Sequence, residues 1–200
     1  MKILLDLSPA MIAERRERYG EDFWQLRTPL TKYARARGIP WGLDNGLFSG
    51  VLQRDAWERM LDEADADRPL FVTLPDMVGD AQRTQELFEI FWTRTQELPR
   101  ALVLQDGIER VKIPWNDIQA VFIGGSDQFK FSPQAIAAAK TAKILGKWVH
   151  VGRVNTAARV RNWLGLADSI DGSGICRFDH MLEDVLAQIR GEHPQTALIA

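Results

Sequence analysis

Seven short apolar runs punctuate the chain, each closed by Asp, Gly or Pro: "KILLDL", "WGLDNG", "PLFVTLPD", "ALVLQDG", "AVFIGG", "KWVHVG" and "ADSIDG". Runs this short, bounded by turn residues, have the length of strands rather than of helices. Between them the apolar positions return every three to four residues, the helical period. "DAWERMLDEADA" puts Trp57, Met60 and Leu61 on one face, and "FDHMLEDVLAQIRG" spaces Met181, Val185 and Ile189 by four before stopping at Gly191. Helix starts are readable too. Ser8-Pro9 and Ser132-Pro133 set an N-cap residue before a proline at the first helical position, and Asp80 and Asn155 are candidate caps for the helices that follow them.

Strand and helix alternate along the whole chain, and apolar strands covered by helices imply a parallel sheet. Seven strands with an eighth to be found predict an α/β fold, a compact (β/α)8 barrel of the TIM type with a reduced or irregular eighth unit; an open doubly wound sheet is the second choice. The tail "HPQTALIA" is a candidate for the eighth strand or a frayed end. No repeat, low-complexity segment or linker divides the chain, so residues 1–200 are expected to form a single barrel domain.

Composition narrows the classes. Hydrophobic residues make up 46% and charged residues 26%, as in ordinary globular chains, and no apolar run approaches a bilayer span. "MKILLDLSPAM" lacks the long apolar region and cleavage site of a secretory signal, so a cytoplasmic chain is expected. One cysteine, Cys176, and three histidines cannot assemble a thiolate-rich metal site, and no metal or cofactor is expected. Net charge is −2, yet residues 126–161 carry Lys130, Lys140, Lys143, Lys147, Arg153, Arg159 and Arg161 against Asp127 alone. That asymmetry favours an anionic partner for this segment.

In a parallel α/β fold the ligand face lies at the C-terminal ends of the strands. Those ends carry Asp44-Asn45-Gly46, Pro75-Asp76, Gln105-Asp106-Gly107, Gly124-Gly125-Ser126, His150-Val151-Gly152-Arg153 and Asp171-Gly172-Ser173-Gly174. Any one acid there reads as a helix cap or a solvated loop residue. Convergence of several on one mouth points to a site.

The series DNGLFSG, LPD, VLQDG, FIGGSDQFK, KWVHVGRVNT and ADSIDGSGICRF resembles the tRNA-guanine transglycosylase superfamily, and is most similar to its phage and bacterial DNA 7-deazaguanine transglycosylase branch, over roughly residues 41–178. The resemblance implies a (β/α)8 barrel that exchanges guanine for a 7-deazaguanine through a covalent glycosyl-enzyme intermediate. It implies Asp171 as nucleophile, Asp44 as acid/base, and Asp76, Gln105, Gly124 and Gly125 as the residues that seat the base. The chain lacks the Cys3His zinc subdomain and the added length of the tRNA enzymes, and it has "DNG" where they have "DSGG"; DNA is therefore the expected polymer, with a 7-deazaguanine base as the small substrate.

The chemistry needs such residues. Displacing a base from C1′ develops oxocarbenium character that a carboxylate can stabilise and then capture, while a second carboxyl manages protons. Nearby N–H donors should keep Asp171 ionised, and a drier setting should keep a proton on Asp44. Asn45, Phe48, His150 and Arg153 are further candidates for substrate contact, Phe48 by stacking on an extruded base. Lys130, Lys147, Arg153, Arg159 and Arg177 are candidates for the nucleic-acid backbone. Competing readings are an N-glycosidase or nucleoside hydrolase, in which water resolves the intermediate; a non-catalytic nucleic-acid-binding subunit; and, last, a phosphosugar isomerase or aldolase. No membrane contact is expected.

Overall fold

The computed structural model describes residues 1–192. Eight parallel strands close into a barrel in chain order: β1 (Lys2–Leu5), β2 (Phe23–Arg27), β3 (Trp41–Leu43), β4 (Val72–Thr73), β5 (Arg100–Leu104), β6 (Ala120–Ile123), β7 (Trp148–Val151) and β8 (Ser169–Ile170). β8 returns to β1 through the pairs Lys2↔Ser169 and Ile3↔Ile170. Helices α1 (Pro9–Tyr19), α2 (Arg54–Ala66), α3 (Ala81–Phe91), α4 (Asp127–Lys130), α5 (Pro133–Ile144), α6 (Ala157–Trp163), α7 (Ser173–Arg177) and α8 (Asp179–Arg190) follow the strands. The (β/α)8 barrel expected from the strand pattern is the observed fold, and none of the described helices is long and apolar enough to cross a membrane.

Alternation along each strand sorts the core into two shells. Outward residues such as Ile3, Leu5, Leu102, Leu104, Val121, Ile123, Val149 and Val151 pack under the helices. Inward residues, Leu4, Leu26, Phe71, Ala101, Val103, Ala120 and Phe122, fill the barrel itself. At the end where the strands begin, Trp24 and Trp148 stack with ring centroids 6.0 Å apart. The interior is a packed core and not a pore.

The helices begin where their caps dictate. Ser8, Asp80 and Ser132 accept hydrogen bonds from the backbone N–H of Met11, Arg83 and Ala135. α6 is capped by Thr156, whose side chain accepts from Arg159 N, and not by Asn155. Asn155 instead accepts from Gly174 N at 2.7 Å and Ile175 N at 3.3 Å, tying the loop after β7 to the start of α7. In α8 the buried stripe is Leu182, Val185 and Leu186, with Met181 and Ile189 partly buried at its edges, and Gly191 ends the helix in the left-handed region at φ 70°.

The eighth strand is β2, "FWQLR", and residues 193–200, considered above for that role, lie outside the described residues. The irregular units are the second and fifth. β2 reaches β3 through a loop, residues 28–40, with no helix, and β5 reaches β6 through two short 3-10 turns. Gln25 takes over the work of the missing helix. Its buried amide donates to Leu7 O and Ala34 O and accepts from Ala36 N, fastening the loop against the sheet.

The close fit inside the barrel sets a test. A Cβ on Gly42 would lie 2.6 Å from Cζ of Phe71, which precedes the neighbouring strand β4. Gly42→Ala should lower stability by about 1–3 kcal/mol through overpacking, read as a shift of the denaturant midpoint at unchanged slope. Adding Phe71→Leu should recover part of the loss.

Candidate active site

The two-residue period that buries Leu4, Gly42, Val103 and Ser169 carries their successors Asp6, Asp44, Gln105 and Asp171 to the C-terminal mouth of the barrel. There they line a two-lobed cavity. The smaller lobe, about 220 Å³, is bounded by Asp76, Gln105, Gly124, Gly125 and Val103 among others. The larger, about 530 Å³, is bounded by Asp6, Arg15, Thr31, Tyr33, Cys176 and Arg177 among others. Asp44, Phe48, Arg153 and Asp171 border both lobes and form the waist between them.

The two waist carboxyls live in different surroundings. Asp171 receives the backbone N–H of Arg153 on Oδ1 at 3.0 Å and pairs with His150 Nε2 through Oδ2 at 2.8 Å. Asp44 accepts from the Thr73 hydroxyl at 3.3 Å and from the Gly46 backbone, but burial dominates and the Asp171 and Asp76 charges add to it. Its pKa is pushed up to about 7. Asp44 therefore holds a proton that it can release near neutrality, the poise of a general acid and base.

In the smaller lobe Asp76 accepts from Asn45 Nδ2 at 2.9 Å and from Gln105 Nε2, and burial raises its pKa. Gln105 Oε1 accepts from Gly79 N at 3.0 Å. Lone pairs of Asp76 remain for the edge of a heterocycle. Gly124 has a packing reason to be glycine, since a Cβ there would lie 2.7 Å from Val103 Cγ1. Gly125 gives its carbonyl to the Arg153 guanidinium. That guanidinium also lies 4.2 Å from the centroid of Phe48, which is exposed on a 3-10 turn between Gly46 and Gly50. Arg153 itself sits at φ 60°, a strained backbone that aims its N–H at Asp171.

Three expectations, those for His150, Lys130 and Lys147, need correction. His150 is wholly buried behind Asp171 and does not line the cavity, so it supports the carboxylate and does not touch substrate. Asn45 borders the smaller lobe as expected, with its side chain bonded to Leu74 O, Asp76 Oδ1 and Leu47 N. Lys130 is 2% exposed and donates to Gly152 O; burial, with Arg153 nearby, lowers its pKa to about 8, and it is out of reach of phosphates. Lys147 precedes β7 and so lies at the opposite end of the barrel. Arg153, Arg159 and Arg177 do stand on the ligand side, Arg159 paired with Asp127 and donating to Arg153 O. The basic segment is thus dispersed, with Lys143 bound to Asp168 as well.

Asp6 and Thr73 were not anticipated. Asp6 closes "KILLDL" as the other acids close their strands, and that position was its signal. It accepts from Thr31 Oγ1 at 2.6 Å, and burial raises its pKa, the Asp171 charge adding to the effect. Thr73 lies inside the "PLFVTLPD" run, and its hydroxyl both supports Asp44 and accepts from Asn45 N at 2.7 Å. Burial pushes the Cys176 thiol up to about 12, so it stays protonated and unreactive. Among the described residues no group of three or more His, Cys, Asp or Glu side chains is arranged to hold a metal ion. No family model and no curated protein matches the chain.

The Asp44 environment has a measurable signature. An unfolded Asp releases its proton near pH 4 and the folded one near 7, so between those values the folded chain holds the extra proton. Stability from this group then falls as pH rises through that window and levels off above it. Asp44→Asn should be more stable than the parent chain by about 1–3 kcal/mol at pH 8, with little difference near pH 4.5, measured by denaturant unfolding at the two pH values.

Proposed function

We propose that the chain is a base-exchanging transglycosylase, a pentosyltransferase that replaces guanine in DNA with a 7-deazaguanine through a covalent intermediate on Asp171. The observation that carries this reading is the waist of the cavity. One carboxyl there accepts the Arg153 N–H and lies 2.8 Å from His150 Nε2, and the other carries a proton up to about pH 7. Two carboxyls with opposed surroundings suit nucleophilic capture at an anomeric carbon combined with proton transfer.

The lobes suggest how a nucleotide lies. The heterocycle enters the smaller lobe, against Asp76 and Gln105, while the sugar and its phosphates occupy the larger one, toward Arg177. C1′ then falls at the waist, beside Asp171. Asp171 attacks C1′ as the bond to N9 breaks, and the bonding pair leaves with guanine, which takes the Asp44 proton and departs neutral. Asp44, now a carboxylate, removes the N9 proton of the incoming heterocycle. N9 attacks C1′, and the bond from C1′ to the Asp171 oxygen breaks to restore the carboxylate. Extruding the base from a duplex costs a few kcal/mol, and stacking on Phe48 offsets part of this.

The dispersal of the basic residues favours one second reading. With Lys130 buried and Lys147 at the far end, the cations near the cavity suffice for a single nucleotide, so the same displacement on a free nucleoside or nucleotide, resolved by water, is the alternative.

DNA incubated with the protein and labelled guanine should take up label, and with 7-cyano-7-deazaguanine it should yield the modified nucleoside by mass analysis. Asp171→Asn should abolish both the exchange and any protein–DNA adduct, and Asp44→Asn should slow exchange by about 10²–10⁴-fold. Free guanine released without uptake of label, from nucleosides and with a flat salt response, would favour the second reading. Exchange persisting in Asp171→Asn would end the first.

A further inference from the structure

We propose that His150 is a positioning residue for Asp171: a neutral imidazole whose tautomer is set by Ser169 and Trp148, so that Nε2–H is presented to the carboxylate. The inference rests on the reading of Asp171 as the nucleophile, and it comes from a chain of hydrogen bonds running up the inside of the barrel. Trp148 Nε1 lies 2.9 Å from Ser169 Oγ, Ser169 Oγ lies 2.8 Å from His150 Nδ1, and His150 Nε2 lies 2.8 Å from Asp171 Oδ2.

The direction of each bond follows from the groups themselves. An indole N–H can only donate, so Ser169 Oγ accepts from Trp148 and its own hydrogen is free to go to Nδ1. Nδ1 as an acceptor leaves the ring proton on Nε2, which is the nitrogen that faces the carboxylate. The opposite tautomer would set the lone pair of a bare ring nitrogen against the Asp171 carboxylate oxygen and remove the Nδ1 acceptor from the serine hydrogen.

The surroundings hold this arrangement in place. His150 and Ser169 are both fully buried and directly paired across β7 and β8. Phe71 and Phe122 flank the imidazole with ring centroids at 5.0 and 4.6 Å, and Trp148 is anchored on Trp24. The side chain of Asp171 thus cannot turn without breaking its bond to a fully buried imidazole. That matters because Asp44 and Asp6 both feel its charge, and a carboxylate among acids is otherwise driven to turn away or take up a proton.

Two measurements test the proposal. In the ¹⁵N spectrum of the wild-type imidazole at pH 8, His150 should show a protonated Nε2 and a bare Nδ1, and Ser169→Ala should give a mixture of tautomers. The reverse tautomer or an imidazolium in the wild type would overturn the proposal, whatever the reaction proves to be. In the exchange assay, His150→Leu should slow adduct formation by about 10- to 100-fold with KM for the base unchanged. His150→Gln, which keeps an N–H near the Nε2 position, should recover most of that rate. Equal losses in both variants with the fold intact by near-ultraviolet circular dichroism, or no loss in His150→Leu, would overturn it. Should His150→Leu fail to fold, Ser169→Ala carries the kinetic arm with a smaller loss of the same kind, and an unchanged rate there would count against the proposal. A wild-type protein that forms no Asp171-dependent adduct would instead remove the functional reading and leave the tautomer result standing.

Discussion

Everything at the mouth of this barrel depends on the strict alternation of side chains along a strand. In a closed parallel sheet, inward residues of all eight strands converge on one axis, so a single parity decides what is core and what is site. Leu4 and Asp6, Gly42 and Asp44, Val103 and Gln105, and Ser169 and Asp171 are pairs in which the first member packs the interior and the second opens onto the cavity. Glycine at 42, 124 and 152 is part of the same constraint. At each, a Cβ would lie within 2.7 Å of a residue filling the barrel, Phe71, Val103 or Phe122.

Converging acids carry an electrostatic cost, and the structure distributes it unequally. Asp171 has the backbone of the strained Arg153 and the buried imidazole of His150. Asp44 and Asp6 have a threonine hydroxyl each, and burial raises both. Lys130 contributes indirectly. Its ammonium takes the Gly152 carbonyl, and the N–H on the other side of that same peptide bond is the one that Asp171 accepts. A cation that composition suggested for the surface therefore acts through the backbone, inside the fold.

How far the sequence revealed this varies with the kind of feature. Strand ends were legible, because an acid or glycine after a short apolar run is both a turn signal and a site signal, and Asp44, Asp76, Gln105 and Asp171 all border the cavity. β2 was hidden because Gln25 and Arg27 interrupt its apolar pattern, and their partners, the loop backbone and Glu63, are visible only once the chain is folded. Asn155, the cap expected for α6, yields that role to its neighbour Thr156 because its own side chain is taken by the distant Gly174 N–H. Charge counting failed for Lys130, Lys143 and Lys147 because net charge along a segment does not say which cation is buried, which is paired and which lies at the far end of the barrel.

The solid floor of the barrel bears on the order of events. Trp24, Trp148, Leu4, Phe71 and Phe122 block the axis, and the smaller lobe, about 220 Å³, has room for one bicyclic ring. On the base-exchange reading, the departing purine must vacate the berth by the doorway through which its successor arrives. The reaction is then a double displacement of ping-pong form, with the sugar parked on the protein between two visits and each heterocycle a competitive inhibitor of the other.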